Sequence, residues 1–216
     1  MIRQGTRPNI SDRLLSLSGF IGSGKSTAAK ILIEDFGYTE IAFADKLKDI
    51  CSITFGWPRN LLEGDTLESR EFRETLDKFW TRKLGFDVSP RKMLRMVGTG
   101  LFRKYFHEDI WIYSVFNEIE KNPDKKFVIT DARFRNELRK IVDNDGFTCR
   151  VVKGNEPHWV SIAKKAYTPT CSEYLKMLNS GIDISEWEWL VHSFDYLIDN
   201  NGTVEDLRNS IGRMLE

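Results

Sequence analysis

Short apolar runs alternate with amphipathic stretches along most of the chain. The apolar runs have the length of buried strands, and they predict strands at 14–18, 39–43, 127–130, 147–152 and 196–198. Apolar residues at helical spacing predict helices at 27–34, 44–55, 67–84, 90–101, 109–121, 134–144 and from residue 203 onward. Strands that alternate with helices are typical of a parallel sheet with helices on both faces. The pattern therefore predicts an α/β fold with a five-stranded parallel sheet.

Two of the predicted helices have further local support. The charged stretch 67–84 has an apolar face that favours one continuous helix, formed by Phe72, Leu76, Phe79 and Trp80. Ser89-Pro90 predicts the start of the next helix, because serine caps helix N-termini and proline is favoured at the first helical position.

Two segments are longer or less regular than ordinary connections. About eighty residues of mostly helical pattern separate the second and third strands, far more than a crossover needs. We interpret 44–121 as a helical insertion in a single domain. The segment 154–183 has a weak periodicity, and we interpret it as a second insertion in the same domain. The polar segment 1–12 has no apolar run, so we expect a loosely ordered leader and not a secretory signal.

The first predicted strand is followed directly by a phosphate-binding motif. The chain there reads Gly19-Phe20-Ile21-Gly22-Ser23-Gly24-Lys25-Ser26, which matches the P-loop pattern G-x-x-x-x-G-K-[ST]. Glycines let several backbone N–H groups converge on one phosphate, and the following helix adds the positive end of its dipole. The alternative is a Gly/Ser turn that matches by chance, but the strand before and the helix after the loop favour a three-layer P-loop NTPase fold. We expect nucleotide phosphates to contact Gly22, Ser23, Gly24, Lys25, Ser26 and Thr27.

Three side chains carry the chemistry expected at this loop. Lys25 places a full charge at the β- and γ-phosphates, and Ser26 offers a hydroxyl to Mg²⁺. Asp131 ends the strand 127–130, so we expect it at the carboxyl edge of the sheet, holding Mg²⁺ directly or through water. The alternative for Asp131 is a cap of the following helix. A P-loop by itself does not distinguish a small-molecule kinase from a GTPase or a motor ATPase.

Charge and cysteine content narrow the classes of partner. The chain has 216 residues, and Lys+Arg 32 balances Asp+Glu 32, so the formal net charge is zero. Proteins that bind polymeric nucleic acid usually have a basic excess, which disfavours that partner. The three cysteines are far apart and form no C-x-x-C pair, which predicts reduced thiols in a cytosolic protein. No stretch approaches the length of a transmembrane span.

Several short motifs follow one another along the chain. Besides the P-loop they are Phe43-Ala44-Asp45-Lys46-Leu47-Lys48, Ser89-Pro90-Arg91-Lys92-Met93-Leu94, Gly98-Thr99, His107-Glu108-Asp109-Ile110-Trp111, the run from Val128 to Glu137, Ser185-Glu186-Trp187 and Asn201-Gly202-Thr203. In this order they resemble the bacteriophage deoxynucleoside monophosphate kinases of the T4 type, and the layout of strands is similar to that of nucleoside monophosphate kinases. The resemblance implies that 44–121 binds the phosphate acceptor and that 154–183 is a lid over ATP.

The resemblance also implies individual site residues. Arg133 would grip the phosphate of the acceptor, since a guanidinium binds phosphate in a bidentate way, with Asp131 and Glu137 in the same motif. The other positions implied around the deoxynucleotide are Phe43, Asp45, Lys46, Arg70, Arg91, Gly98, Thr99 and Trp111. Asn201 and Gly202 would border the adenine of ATP.

Each of these assignments has a plainer alternative. Arg133 could be a surface arginine paired with Glu137, and Arg70 could form an i,i+4 pair with Glu74. Trp111 could be a packing residue, as most tryptophans are. The run Asn201-Gly202-Thr203 could be a turn followed by an N-cap.

The resemblance implies an ATP-dependent kinase that phosphorylates a deoxynucleoside monophosphate (dNMP), with Mg²⁺ as its metal ion. The expected partners are these two nucleotides, without polymeric nucleic acid or a membrane, and a homodimer is left open. A phage-encoded enzyme of this kind would act in the host cytoplasm and serve DNA replication. The alternatives are another small-molecule P-loop kinase, such as a dephospho-coenzyme A kinase, and a module that binds ATP without phosphorylating a small molecule.

Overall fold

The computed structural model describes residues 13–216, and the expected leader 1–12 lies outside the described residues. Its sheet has five parallel strands in the order β2-β3-β1-β4-β5. The strands are β1 (Leu14–Ser18), β2 (Tyr38–Ile41), β3 (Lys126–Ile129), β4 (Phe147–Val152) and β5 (Tyr196–Asp199). The predicted α/β class and the five-stranded parallel sheet are confirmed.

β1 is the central strand and pairs with β3 on one side and β4 on the other. Leu15 is in register with Val128 of β3 and with Phe147 of β4. All five residues of β1 are buried, as expected for a strand covered on both faces. Because the strands are parallel, the segments that follow β1, β3 and β4 leave the sheet at the same edge.

The helices occupy most of the remaining chain. They are α1 (Lys25–Phe36), α2 (Asp45–Phe55), α3 (Leu67–Glu74), α4 (Lys78–Leu84), α5 (Pro90–Arg95), α6 (Ile110–Lys121), α7 (Arg135–Asp143), α8 (Val160–Ala163), α9 (Ser172–Leu178) and α10 (Val204–Leu215). A π-helical stretch, Met96–Arg103, continues α5, and single 3-10 turns lie at Arg59–Leu62, Ile184–Glu186 and Glu188–Val191. Within 13–216, no helix has the length and apolar character needed to cross a membrane.

The chain forms two compact units. The first contains the whole sheet and is built from the chain up to Ala42 and from Ile119 to Glu216. Its core joins all five strands to α1 and α10, through Leu15, Leu17, Ala28, Ala29, Ile31, Leu32, Tyr38, Val128, Cys149, Val151, Ile198, Leu207 and Ile211. This unit positions the P-loop.

The second unit, Phe43–Glu118, has a separate core. Its buried residues are Cys51, Trp57, Leu62, Val88, Met93 and Leu94. The ring of Phe55 stacks on Trp57 with the centroids 4.5 Å apart, and its edge meets Trp80 at 5.3 Å. That 44–121 is the part of the chain that binds an acceptor stays a prediction.

The prediction of one helix over 67–84 is wrong. The segment forms α3 and α4, separated by Thr75, whose backbone is extended, and by Asp77, which caps α4 by accepting from the Trp80 N–H. The other carboxylate oxygen of Asp77 accepts from the indole of Trp57 at 2.8 Å. Trp80 packs into the second core, whereas Leu76 and Phe79 are exposed. The predicted apolar face is thus divided by a turn that long-range contacts fix.

The segment 154–183 contains two short helices, α8 and α9, which agrees with its weak periodicity. It is part of the first unit, and its buried side chains are Val160, Ala163, Tyr174 and Met177. Its role as a lid over ATP stays a prediction.

Candidate phosphate-binding site

The P-loop connects β1 to α1 through two glycines with left-handed backbone angles. Gly22 has φ 82° and Gly24 has φ 97°, a region that side-chain-bearing residues rarely adopt. The Ser23 N–H donates to the carbonyl of Phe20 at 3.1 Å, which closes the turn. α1 begins at Lys25, so its unpaired N–H groups lie directly beyond the loop.

Lys25 is folded back over the loop. Its ammonium donates to the carbonyls of Gly19 at 2.6 Å and Phe20 at 3.0 Å. Burial, followed by the nearby guanidinium of Arg133, lowers the pKa of the Lys25 ammonium to about 8, while Glu186 raises it. The ammonium of Lys25 is therefore held inside the loop, and its contact with the β- and γ-phosphates stays a prediction.

Asn200 holds the loop from the end of β5, and the sequence analysis did not identify it. Its buried side-chain amide donates to the carbonyl of Ser23 at 2.8 Å. The predicted residues next to it have different contacts: Asn201 accepts from the Gly154 N–H at 2.7 Å, and Gly202 lies against the Asp206 carboxylate. The turn and the Thr203 N-cap of α10 are as the plainer alternative describes. Whether Asn201 and Gly202 border adenine stays a prediction.

The close approach of Asn200 predicts the effect of one substitution. A Cβ at Gly24 would lie 2.1 Å from Nδ2 of Asn200, in addition to the strain of a φ of +97°. We expect Gly24→Ala to weaken ATP binding at least tenfold, since strain of this kind costs about 1–3 kcal/mol and the clash adds to it. Titration calorimetry with ATP measures the loss.

Gly37 provides the matched control for Gly24→Ala. It has φ +72° at the end of α1, and nothing lies within 4 Å of the Cβ position. Gly37→Ala should lower the free energy of unfolding without changing the affinity for ATP. Equal ATP affinities in the two variants would contradict a constraint imposed by Asn200.

The segment that follows β3 lies beside the base of the P-loop. The Ser18 hydroxyl donates to the carbonyl of Ala132 at 3.3 Å, which places Asp131 and Arg133 on the two sides of this contact. The buried carboxylate of Glu137 accepts from the backbone N–H groups of Arg133 at 2.8 Å and Phe134 at 3.0 Å. In the described structure Glu137 thus fixes the backbone at the start of α7. Its predicted contact with substrate stays a prediction.

Arg133 reaches a partner that sequence reasoning did not identify. Its Nη1 donates to Oε1 of Glu186 at 3.1 Å, in place of the side-chain pair with Glu137 that the plainer alternative suggests. The two side chains line one cleft together with Lys25 and with Gly19, Ile21, Thr130, Ala132, Ser185 and Trp189. Two cations and the loop that precedes α1 therefore face one space, an arrangement suited to a polyanion.

The oxygen donors expected for Mg²⁺ are a hydroxyl and one carboxylate. Ser26 is exposed in the first turn of α1, and Asp131 lies two residues beyond the end of β3, at the same edge of the sheet. Hard oxygen ligands suit Mg²⁺, which usually keeps several waters and binds substrate phosphates in addition to one or two protein groups. Within 13–216, no group of three or more His, Cys, Asp or Glu side chains could hold a metal by itself. The donor set fits a metal that arrives with its nucleotide.

A buried arginine supports the P-loop from β4. Arg150 forms an ion pair with Glu156, and its guanidinium lies 5.9 Å from the ring centroid of Phe20 and 5.1 Å from that of Trp189. Burial lowers the pKa of Arg150, and Glu156 opposes that change. Glu156 also accepts from Lys164 at 2.9 Å. The segment 154–183 is thereby tied to Phe20 of the P-loop. A charge within the apolar run of β4 is the sequence signal that could have revealed it.

In the second unit, Arg91 and Arg70 lie on different helices. Arg91 forms an ion pair with Glu74 and stays half exposed. Arg70 donates to the backbone carbonyls of Gly64 and Asp65, so the alternative of an i,i+4 pair between Arg70 and Glu74 is wrong. The predicted contacts of Arg70 and Arg91 with the deoxynucleotide stay predictions.

Trp111 is buried, with 5% of its surface exposed, and its indole N–H donates to the carbonyl of Gly98 at 3.2 Å. Gly98 is buried in the π-helical stretch, where a Cβ would lie 2.7 Å from Leu47, whereas Thr99 is exposed. These contacts are those of a packing residue, the plainer alternative for Trp111. A contact of Trp111, Gly98 or Thr99 with a deoxynucleotide stays a prediction.

The predicted residues at the start of α2 differ in exposure. Phe43 is buried and Lys46 is exposed. Asp45 belongs to a cluster of ion pairs, with Arg59 at 3.2 Å and Lys48 at 3.8 Å. The structure gives Asp45 a role within the second unit, and the substrate contacts of the three residues stay predictions.

Sequence comparison places the chain beside two viral proteins. A protein of Acanthamoeba polyphaga mimivirus, provisionally named deoxynucleotide monophosphate kinase, is 32% identical over 209 residues, which cover 92% of this chain and 93% of the relative. The deoxynucleoside-5′-monophosphate kinase of Escherichia phage T5 is 50% identical over 74 residues, 32% of this chain and 30% of the relative. No family model matches the chain.

Among solved structures, dephospho-CoA kinase from Campylobacter jejuni covers 94% of this chain and 95% of its own, with 18% identity and a TM-score of 0.45. A shikimate kinase from Bacteroides thetaiotaomicron covers 93% and 94%, with 13% identity and a TM-score of 0.37.

Proposed function

The chain belongs to the family of deoxynucleoside monophosphate kinases, and we propose that it transfers the γ-phosphoryl group of ATP to a deoxynucleoside 5′-monophosphate. The products are a deoxynucleoside diphosphate and ADP. The observation that carries the proposal is the cleft in which Lys25 of the P-loop and Arg133 lie together. Two cations beside a phosphate-binding loop can stabilise the charge of a phosphoryl group during its transfer.

The reaction requires positioning and charge neutralisation from the protein. An oxygen of the acceptor's phosphate forms a bond to the γ-phosphorus, while the bond from that phosphorus to the β–γ bridging oxygen breaks and its electrons leave with ADP. Backbone N–H groups of the P-loop hold the β- and γ-phosphates, and Lys25 and Arg133 offset the charge at the transferring group. Mg²⁺, held by Ser26 and Asp131, would neutralise part of the charge on the phosphates.

No strong general base is required for this step. A phosphate monoester has a second pKa of about 6, so the attacking oxygen is already largely ionised at neutral pH. The residues of the cleft therefore orient the phosphates and offset their charge, and none of them has to remove a proton from the acceptor.

The acceptor has to bind away from the P-loop, because the P-loop holds the triphosphate of the donor. We propose that the second unit binds it, through Arg91 on its phosphate and Gly98, Thr99 and Trp111 near its sugar or base. The half-exposed guanidinium of Arg91 can reach a ligand, and its partner Glu74 is itself 60% exposed, so a dianionic phosphate can replace it.

Arg91→Ala tests the acceptor site. Loss of one charge-assisted phosphate contact costs about 1.5–3 kcal/mol, so we expect the KM for the dNMP to rise roughly ten- to hundredfold. The KM for ATP should stay nearly unchanged. Steady-state kinetics with each nucleotide varied in turn separate the two constants.

Arg95→Ala is the matched control, because Arg95 is an exposed arginine at the end of the same helix. It should leave both KM values unchanged. Equal increases in the KM for ATP and for the dNMP in Arg91→Ala would show that Arg91 is structural. A ribonucleotide used as well as its deoxy counterpart would refute the deoxy preference and leave the acceptor site standing.

An acceptor panel tests the function itself. ATP is incubated with each of the four common dNMPs, and ADP and dNDP are measured separately. Stoichiometric formation of both products is expected. Preferred phosphorylation of dephospho-coenzyme A would favour the other small-molecule kinase, and ATP turnover that no acceptor stimulates would favour an ATP-binding module.

The remaining partners follow from this reaction. We propose Mg²⁺ as the metal ion and ATP and a dNMP as the nucleotides, and we propose no polymeric nucleic acid or membrane as a partner. Omission of Mg²⁺ from the acceptor panel should abolish turnover. The host cytoplasm is the proposed location if the chain is phage-encoded, and a homodimer is left to a measurement of mass in solution.

A further inference from the structure

One carboxylate lies in the cleft where, in the proposed function, the phosphates bind. Glu186 lines this cleft with Lys25 and Arg133. A negative charge opposes the binding of a polyanion, so an unpaired carboxylate here would weaken phosphate binding. Glu186 is paired with the guanidinium of Arg133. The run Ser185-Glu186-Trp187 is also one of the motifs to which the sequence analysis assigned no role.

We propose that Glu186 is a positioning residue for the phosphoryl transfer: its carboxylate holds the guanidinium of Arg133 in the cleft while other N–H groups of Arg133 remain available to a phosphate. The proposal rests on the proposed function. It is carried by the contact of Nη1 of Arg133 with Oε1 of Glu186 at 3.1 Å and by the way both backbones are fixed.

The backbone of Glu186 is tied to the P-loop through tryptophans. Trp187, the next residue, is fully buried, and the Trp189 indole N–H donates to the carbonyl of Glu186 at 3.0 Å. The Trp189 ring meets the edge of Phe20 in the P-loop, with the centroids 5.1 Å apart. The carboxylate of Glu186 therefore starts from a backbone position that is set relative to the phosphate-binding loop.

The backbone of Arg133 is fixed by two contacts of its own. The buried carboxylate of Glu137 accepts from its N–H, and the Ser18 hydroxyl holds the preceding carbonyl of Ala132. What remains variable is the long side chain of Arg133, which has several rotamers. An ion pair with a carboxylate whose backbone is fixed favours some of those rotamers before substrate arrives, which is preorganisation of a catalytic cation.

The chemistry of the guanidinium allows this double use. Arginine has five N–H donors in a planar fork, and the bond to Glu186 uses Nη1. The other donors can bind a phosphate oxygen while the ion pair persists. A lysine at 133 would have a single charged centre, which Glu186 and the phosphate would share.

Glu186→Gln tests the proposal, because it keeps the shape of the side chain and removes its charge. We expect kcat to fall roughly tenfold, since small errors in the placement of a catalytic group have effects of this size or larger. The KM for ATP should change less than about twofold, because the P-loop contacts remain. Glu34→Gln, an exposed carboxylate on α1, is the control and should change neither constant.

A double-mutant cycle distinguishes positioning from an independent effect. If Glu186 acts through Arg133, the double variant Arg133→Ala with Glu186→Gln should be no slower than Arg133→Ala alone. The same fold-loss in the presence and in the absence of Arg133 would overturn the proposal. An unchanged or increased kcat in Glu186→Gln would overturn it as well, as would equal damage to kcat and both KM values.

A measurement without substrate tests the positioning role independently of whether the chain phosphorylates a dNMP. Nuclear magnetic resonance relaxation of the Arg133 Nε–H group reports the order of its side chain. Greater mobility in Glu186→Gln supports the positioning role, and unchanged mobility overturns it. A wild-type chain that turns over none of the dNMPs would refute the proposed function, whatever the mobility shows.

Discussion

Replacement of Lys25 by alanine is expected to lower the turnover of ATP and dNMP by at least about a hundredfold while the fold stays intact. Removal of one preorganised group that stabilises transition-state charge typically costs a hundred- to a thousandfold in kcat. We propose that Lys25 is such a group, because the carbonyls of Gly19 and Phe20 hold its ammonium inside the phosphate-binding loop. Initial rates of ADP and dNDP formation measure the loss.

The stability of Lys25→Ala is predicted separately. The substitution removes two hydrogen bonds of a partly buried ammonium and creates no cavity in the core, so we expect a loss of about 1 kcal/mol. For a chain of this size that corresponds to about 2–4 °C in Tm. Lys30→Ala, an exposed lysine on α1, is the control for loss of charge and should keep normal turnover. Near-normal turnover in Lys25→Ala would end the P-loop assignment.

The sheet and the P-loop were predictable because their signals are local. A parallel strand buried on both faces is a short continuous apolar run, and 147–152 was predicted with the same bounds that β4 has. The P-loop requires glycines at positive φ and a lysine at the start of a helix, and all of these residues lie within the eight-residue motif 19–26. Neither signal requires knowledge of a partner that is distant in sequence, although the strands themselves pair with distant strands.

The break between α3 and α4 was not predictable in the same way. No glycine or proline interrupts 67–84, and its apolar positions keep a helical spacing. The break is fixed by Asp77, which accepts from Trp57 and Trp80 and whose own N–H donates to the carbonyl of Val88 at 2.8 Å. Contacts of this kind override helix propensity, and they are known only when the chain has folded.

The supporting residues of the site were missed for the same physical reason. Asn200 contacts Ser23 across 177 positions, and Glu186 contacts Arg133 across 53. Each residue type is unremarkable in its own segment, because asparagine is common in turns and glutamate on surfaces. Arg150 is different, since a charge between buried neighbours in β4 implies a partner, although the sequence does not say that Glu156 supplies it.

Arg133→Lys is expected to lower kcat/KM for the dNMP by roughly a hundredfold although the formal charge is kept. In the proposed positioning role, the guanidinium of Arg133 binds Glu186 and a phosphate at once, which needs donors that point in two directions. An ammonium is one point charge, so its bond to Glu186 competes with its bond to the phosphate. Arg133→Ala should be slower still, because it removes the charge as well.

Arg139→Lys is the matched control, because Arg139 lies on α7, is 83% exposed and contacts Asp143 at 3.9 Å. Arg139→Lys should leave kcat/KM unchanged. A loss in Arg133→Lys alone would then come from position 133 and not from the exchange of arginine for lysine as such. Wild-type rates in Arg133→Lys would mean that residue 133 acts only as a distant charge. In that case the fork geometry would carry no part of the catalysis. If Arg133→Lys is impaired because Glu186 holds the ammonium, adding Glu186→Gln to that variant should raise its activity.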